Sequence, residues 1–85
     1  MRYRSRDEII GSILQSASQN QITKTKMMFS SFLSYPQLLY YLKLLIDEDL
    51  LEYDSQSKLY RTTQKGMEFL ELNRKITSLL EIKTK

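Results

Sequence analysis

The chain of 85 residues is 41% hydrophobic and carries a formal net charge of +3, which predicts one small, mildly basic folded domain. It contains no cysteine, no histidine and only two glycines, so it has no disulfide bond, no thiolate metal site, no glycine-rich phosphate loop and no histidine general base. We therefore expect a protein that is not an enzyme and that uses neither a cofactor nor a metal, and whose basicity suits a nucleic-acid partner.

The first predicted element is a helix over residues 6–17. Ser5 and Glu8 have the spacing of a capping box, and an apolar face follows at helical spacing. The residues predicted to be buried on that face are Ile9, Ile10, Ile13, Leu14 and Ala17. Gly11 lies inside the helix, where glycine costs about 1 kcal/mol relative to alanine. A close contact with another element is one explanation for its presence.

A short basic arm precedes this helix. Residues 1–6 hold arginines at alternate positions, Arg2, Arg4 and Arg6. Such an arm can lie along phosphates or enter a minor groove, and it can equally be a solvated chain end. No signal-peptide core follows it, and no stretch approaches the ~20 apolar residues that span a bilayer. We therefore expect a cytoplasmic or nucleoid-associated protein without a membrane partner.

A second, short helix is predicted over residues 24–31, after a polar link. Thr23 is its N-cap. Its three apolar side chains are expected to be buried: Met27, Met28 and Phe29. Lys24 and Lys26 lie in its first turn, where basic residues suit a helix whose N-terminus approaches a DNA phosphate, although ordinary solvation explains them as well. Ile22, ahead of the cap, is either a very short strand or a staple residue.

A third helix is predicted from the N-cap Ser34 to Asp47, after a short turn in which Phe32 and Leu33 are expected to belong to the core. Ser34 forms a second capping box with Gln37. One face carries an apolar stripe that is expected to be buried: Leu38, Leu42, Leu45 and Ile46. Because the turn is short, the second and third helices stay adjacent and angled, as in a helix-turn-helix.

The opposite face of the third helix combines planar hydrogen-bonding side chains with one basic residue: Gln37, Tyr40, Lys43 and Asp47. In the major groove of DNA an amide can read adenine, and an aromatic ring can contact a thymine methyl. The same residues also occur on helix faces that are merely solvated. If the helix enters the groove, the residues expected to face the bases are Ser34, Tyr35, Gln37, Tyr40 and Lys43.

A β-hairpin is predicted after the acidic run that ends the third helix. Its strands are residues 50–54 and 59–62. A hairpin directly after a recognition helix is the wing of a winged-helix domain. Lys58 and Arg61 are candidates for contact with the DNA backbone, although Glu52 and Asp54 on the same hairpin would repel phosphates.

The last predicted helix starts at the cap Thr63 and runs to about residue 80–82. Met67, Phe69 and Leu70 are expected to cover the core, and beyond them the apolar spacing is that of a heptad seam. One small core cannot cover a helix of this length. We therefore expect a second copy of the chain to cover its far half, in a parallel or antiparallel seam; the alternative is a helix that folds back over its own domain. The predicted dimer-interface residues are Phe69, Leu72, Ile76, Leu79 and Leu80.

Five segments are spaced along the chain as in one known family. They are Glu8-Ile9-Ile10 with Ile13-Leu14, Lys24-Thr25-Lys26-Met27-Met28, Leu33-Ser34-Tyr35, Tyr41-Leu42-Lys43-Leu44-Leu45 with Leu50-Leu51, and Thr63-Gln64-Lys65-Gly66. On these segments, over residues 6–73, the chain resembles the small archaeal winged-helix DNA-binding proteins of the 10a type. The resemblance implies a mainly α fold with a small β-hairpin, a winged helix-turn-helix followed by a long C-terminal helix.

The resemblance also implies a homodimer joined through its C-terminal helices in an antiparallel coiled coil. It further implies binding of double-stranded DNA through the third helix and the wing, in a chromatin-like or transcriptional role. Two features depart from the family. Phe32 stands where the family tends to have a polar asparagine, and the final helix ends sooner than in longer members.

Two functions remain open at this point. Under the first, residues 1–66 form a winged helix-turn-helix domain that binds double-stranded DNA, and residues 67–85 extend from it as a dimerisation helix. Its phosphate contacts are expected from Lys24, Lys26, Lys58 and Arg61. Under the second, the chain is a winged-helix protein–protein interaction module that does not bind DNA, which the tyrosine-rich third helix and the acidic run favour.

Overall fold

The computed structural model describes the backbone of residues 5–84 and the side chains of that range except residues 77 and 80–84. Arg2 and Arg4 of the predicted arm, and the side chain of Leu80, lie outside the described residues. In chain order the elements are α1 (Arg6–Ser16), α2 (Lys24–Ser30), α3 (Tyr35–Asp47), β1 (Leu51–Asp54), β2 (Leu59–Thr62) and α4 (Gln64–Thr84). The predicted fold class, mainly α with a small hairpin and a long last helix, is confirmed.

The first three helices begin at the capping residues that the sequence predicts. The Ser5 and Ser34 hydroxyls accept from the backbone N–H of Glu8 and Gln37, and both of these side chains reach back to complete capping boxes. Thr23 accepts from the N–H of Lys26 at 3.2 Å. These local bonds satisfy backbone donors that have no partner inside the helix, so they fix where each helix starts.

The core lies where α1 meets the other helices and the hairpin. Its fully buried members share aliphatic or thioether side chains: Ile13, Leu14, Ala17, Met27, Leu38 and Leu45. Ile22 is a strand residue, because it pairs with Tyr60 through backbone hydrogen bonds of 2.8 and 3.0 Å. Ile22 thus forms a single antiparallel bridge alongside β2. In the hairpin itself, Leu51 is paired with Thr62 and Glu52 with Arg61.

Four apolar residues that the sequence pattern predicts to be buried are exposed instead: Phe29, Phe32, Ile46 and Met67. Met67 and Ile46 lie at the margins of their apolar stripes, whose central residues cover the core. Phe29, at the end of α2, is 68% exposed because that short helix buries only Met27 fully. Phe32, in the turn between α2 and α3, is 85% exposed.

Both glycines lie at close approaches between elements. A Cβ built on Gly11 would come within 2.9 Å of the Asn73 side chain, so α1 and α4 pack closely there, as the sequence suggested. A Cβ on Gly66 would overlap the backbone carbonyl of Leu50 and the methyl group of Thr62. Gly66 therefore lets the start of α4 lie against the junction between α3 and the hairpin.

Candidate nucleic-acid interface

The polar face of α3 points away from the core. Leu38, Leu42 and Leu45 are buried on the inner side of the helix. The side chains predicted to face DNA bases are all exposed: Ser34, Tyr35, Gln37, Tyr40 and Lys43. The described part of the chain therefore leaves this face of α3 open to a partner.

Gln37 is both a capping residue and a candidate base reader. Its Oε1 accepts from the Ser34 backbone N–H at 3.0 Å and from the Ser34 hydroxyl at 3.1 Å. A bidentate contact with adenine needs both the oxygen and the nitrogen of the amide. Such a contact would have to replace the cap, whereas the amide nitrogen alone can donate to a base without disturbing it.

Lys24 joins the start of α2 to the start of α3. Its Nζ lies 5.6 Å from the centroid of the Tyr35 ring, which is a cation–π distance. Lys26 is exposed in the first turn of α2. The structure thus brings one predicted phosphate-binding cation, Lys24, close to the N-terminal end of the exposed helix face.

Two other cations that are predicted to contact DNA already form ion pairs with carboxylates of the same chain. Lys43 donates to Asp47 at 3.2 Å, one helical turn further on, with both side chains mostly exposed. Exposed pairs of this kind contribute little to stability, commonly about 0.5 kcal/mol, so DNA phosphate can compete for the lysine. On the hairpin, the Arg61 Nε donates to Glu52 at 2.7 Å, because the register places these two residues directly opposite each other.

Lys58 occupies an unusual backbone position at the hairpin tip. Its φ is 60°, in the left-handed region where glycine and asparagine are the favoured residues. Its backbone N–H donates to the Asp54 carbonyl at 2.7 Å and closes the loop. At this exposed position Lys58 presents its charge at the tip of the wing. Glycine or asparagine would adopt the same backbone conformation at a lower energetic cost.

Asp54 organises the hairpin turn through its carboxylate. The backbone N–H of Gln56 and the hydroxyl of Ser57 both donate to it at 3.0 Å. These bonds, the Gln56 N–H first and the Ser57 hydroxyl second, hold the pKa of the Asp54 carboxyl below its ordinary value of 3.8. The charged form is therefore the form that stabilises the turn.

We expect replacement of Asp54 by asparagine to flatten the acid limb of the stability curve. A depressed folded-state pKa stabilises the protein above the unfolded-state pKa, and that stability is lost as the pH falls below 3.8 through the lower folded value. Urea unfolding of wild type and Asp54→Asn from neutral pH to about pH 2 measures the difference. Parallel curves for the two proteins would contradict this role of Asp54.

The α2–α3 turn is a Schellman motif with Phe32 in its left-handed position. The Leu33 N–H donates to the Met28 carbonyl at 3.1 Å, and the Phe32 N–H donates to the Phe29 carbonyl at 3.3 Å. Phe32 has a φ of 55°. This geometry turns its ring outward, while Leu33 is buried. The expectation that Leu33 belongs to the core is confirmed, and the same expectation for Phe32 is wrong.

One charge pattern marks the helix-turn-helix segment and was not used in predicting the site. From Lys24 to Ile46 the sequence contains three lysines and no aspartate or glutamate. The exposed aromatic residues of α2, α3 and their turn all lie in this acid-free stretch. A segment with lysines and no carboxylate favours a polyanionic partner over an acidic one.

The outward face of α4 remains apolar beyond the core. Phe69 packs partly against the core, and Leu70 is buried. The next residues of the predicted seam, Leu72, Ile76 and Leu79, are 61%, 57% and 60% exposed. Within the described residues, no side chain after Asn73 is more than partly covered by the rest of the chain.

Other kinds of site find no support in residues 5–84. Among the described residues, no group of acidic side chains could hold a metal ion. The described helices include none that is both long and apolar enough to cross a membrane.

A family model described as winged helix-turn-helix matches residues 3–81, nearly the whole chain. The chain belongs to the winged helix-turn-helix family. In this winged helix-turn-helix protein, α2 and α3 form the helix-turn-helix and the β1–β2 hairpin forms the wing. No curated protein is significantly similar to it in sequence.

A solved structure shares the fold. The crystal structure of Sso10a-2, a DNA-binding protein from Sulfolobus solfataricus, matches this winged helix-turn-helix with a TM-score of 0.81. The two sequences are 20% identical, and the match covers 92% of this chain and 83% of that chain. The resemblance to the 10a type that the sequence predicts is thereby confirmed at the level of the fold.

Proposed function

We propose that this winged helix-turn-helix protein binds double-stranded DNA, with α3 in the major groove and the hairpin on the backbone. The observation that carries the proposal is the exposed polar and aromatic face of α3, which lies, up to Asp47 at its end, in a segment of three lysines and no carboxylate. The fold shared with Sso10a-2, a DNA-binding protein, supports it. The role is that of a transcriptional regulator or a chromatin-associated protein rather than of an enzyme.

The proposed contacts divide into two groups. Side chains at the base edges are Ser34, Tyr35, Gln37, Tyr40 and Lys43, and side chains at phosphates are Lys24, Lys26, Lys58 and Arg61. Arg61 must leave Glu52 before it binds phosphate, and Lys24 is held over an aromatic ring. Lys26 and Lys58 are exposed in the first turn of α2 and at the wing tip, so we expect them to contribute most to the initial attraction.

A salt titration of duplex binding tests this proposal. The logarithm of affinity falls linearly with the logarithm of salt concentration, with a slope of about 0.9 for each phosphate contact. Lys58→Asn should reduce the slope by about one. The same change should raise the melting temperature, because asparagine suits the left-handed backbone at this position. Affinity and stability thus move in opposite directions, so a folding defect cannot explain weaker binding.

Two further variants sharpen the titration. Lys75→Asn removes the same charge from the exposed far half of α4 and serves as the control, with an unchanged slope expected. Glu52→Gln releases Arg61 and should steepen the slope. Wild-type binding that is indifferent to salt, or a slope that Lys58→Asn leaves unchanged, would count against DNA binding through the wing.

The proposal includes a homodimer in which α4 is the seam. This helix has 21 residues, about 31 Å at 1.5 Å per residue, and its far half exposes a stripe of leucine and isoleucine. Exposed apolar stripes at heptad spacing are characteristic of helices that pair. On this division, residues 1–66 bind DNA and residues 67–85 extend from them to join two subunits.

The second candidate is a protein–protein interaction module. The observation in its favour is the group of large exposed side chains on and before α3: Phe29, Phe32, Tyr35, Leu39 and Tyr40. Aromatic residues are enriched at protein interfaces. Absence of duplex binding at low salt, together with a folded dimeric protein, would favour this candidate over the first.

A further inference from the structure

The two ends of the Gln37 side-chain amide are in different situations. Its Oε1 accepts from the backbone N–H and from the hydroxyl of Ser34, so both of its lone pairs are engaged. Because a backbone N–H can only donate, the amide atom that faces it is the oxygen, and the NH2 group is the other end. Among the described residues no group accepts a hydrogen bond from this NH2 group, and the side chain is exposed. Gln37 therefore offers a partner a donor and no free acceptor.

The helix cap keeps the amide in this orientation. The Ser34 hydroxyl accepts from the Gln37 backbone N–H at 3.4 Å, while the Gln37 side chain satisfies the Ser34 backbone N–H at 3.0 Å. An amide that turned its oxygen toward DNA would leave the Ser34 N–H without this partner and would open the capping box. The bidentate contact with adenine, which uses the oxygen as well as the nitrogen, is therefore the disfavoured one.

The four bases differ in what they present to a donor in the major groove. Guanine and thymine present a keto oxygen, O6 or O4, whereas adenine and cytosine present an amino group, at N6 or N4. A donor thus finds an acceptor at a keto base and an opposing donor at an amino base. Gln37 lies in the first turn of α3, and the N-terminal residues of a recognition helix are those that contact base edges.

We infer that the NH2 group of Gln37 donates to the keto oxygen of a guanine or a thymine in the major groove, so that this residue selects keto bases over amino bases at one position of the contacted strand. This inference rests on the proposed function. It replaces the reading of adenine, which an unconstrained glutamine favours, with a preference that the capping box imposes.

Gln37→Glu reverses the free end of the side chain and keeps the cap. One carboxylate oxygen can accept from Ser34, as glutamate does in a capping box, and the other then faces the DNA as an acceptor. Because glutamate accepts from the amino group of cytosine, the variant should prefer amino bases. Its melting temperature should be unchanged or higher, since a negative charge is favourable in the first turn of a helix. A change in base preference therefore cannot be attributed to a folding defect.

The experiment begins with selection of bound duplexes from a randomised pool by wild type and by Gln37→Glu. The position at which the two preferences differ is the contacted one. Duplexes with guanine, uracil, adenine or cytosine at that position are then titrated with each protein at one salt concentration. Uracil replaces thymine there, so that contact between a tyrosine and a methyl group cannot produce the preference. Wild type should bind the guanine and uracil duplexes about tenfold more tightly than the other two, and Gln37→Glu should show the reverse.

Thr25→Glu is the matched control for the added charge. Thr25 is exposed in the first turn of α2, away from the polar face of α3. This variant should weaken binding to all four duplexes by the same factor, because its charge repels phosphates whatever the base, and the keto preference should remain. Loss of the preference in Thr25→Glu would show that charge alone abolishes it, and that result would overturn the inference.

Other outcomes separate this inference from the proposed function. A keto preference that survives in Gln37→Glu would belong to another donor on the same face, such as Tyr40 or Lys43, and would overturn the inference. A wild-type preference for adenine at that position would show that the cap opens on DNA. Selected sequences that do not differ between the two proteins would show that Gln37 reads no base. Each of these results leaves DNA binding intact, whereas failure of the wild type to bind any duplex overturns both.

Discussion

Gly66→Ala is expected to destabilise the protein by about 3 kcal/mol, a large effect for a single methyl group. The added Cβ would overlap the carbonyl of Leu50 and the methyl group of Thr62. The Leu50 carbonyl is backbone that also accepts the Thr63 N–H at 3.1 Å, so it cannot move without breaking that bond. Urea unfolding measures the loss as a lower midpoint with an unchanged slope.

Gly11→Ala is the matched control for this prediction. Its Cβ would meet only the end of the Asn73 side chain, at 2.9 Å, which can rotate away. Alanine also gains about 1 kcal/mol over glycine inside a helix. The control should therefore be neutral or mildly stabilising. Similar losses for both substitutions would show that the close approach at Gly66 is not what limits that site.

Leu72→Glu combined with Ile76→Glu is expected to convert a dimer into a monomer. Both side chains are more than half exposed in the single chain, so the change removes little from its own core. Two charges from each subunit would lie in the proposed seam, where like charges and the loss of apolar packing both oppose pairing. Light scattering measures the mass, and circular dichroism checks that the helices remain.

Ser78→Glu provides the control for the seam. Ser78 is exposed on α4 but lies two residues beyond Ile76, off the heptad stripe of Leu72, Ile76 and Leu79. This variant should remain dimeric. A wild type that is monomeric, or a double variant that keeps the dimer mass, would exclude α4 as the seam. The loss of the dimer should also weaken duplex binding, because two linked modules bind more tightly than one.

The starts of the helices could be predicted from the sequence because capping is local. Ser5, Thr23, Ser34 and Thr63 each accept a hydrogen bond from a backbone N–H three residues further along the chain, so spacing alone identifies them as caps. The heptad spacing and the acid-free segment are equally local patterns. Such features supply the order of elements and the exposed face of α3.

The surroundings of individual side chains could not be predicted in the same way. Phe32 is a large apolar residue of the kind that usually lies in a core, and only the backbone of the Schellman turn places its ring outside. Arg61 pairs with Glu52 because of the strand register, which depends on how the hairpin loop folds. The sequence singled out both residues, but it did not indicate where the Phe32 ring lies or which group Arg61 contacts.

The two ends of α3 differ in charge, and this bears on how the helix meets a duplex. Lys24 lies over the Tyr35 ring at one end, while Asp47, Glu48 and Asp49 are exposed at the other. The helix macrodipole has the same sense, positive at the N-terminus and negative at the C-terminus. The N-terminal end of α3 therefore attracts DNA phosphates, and its C-terminal end repels them. We expect the helix to tip into the groove rather than lie along it, so that each subunit has a footprint of only a few base pairs.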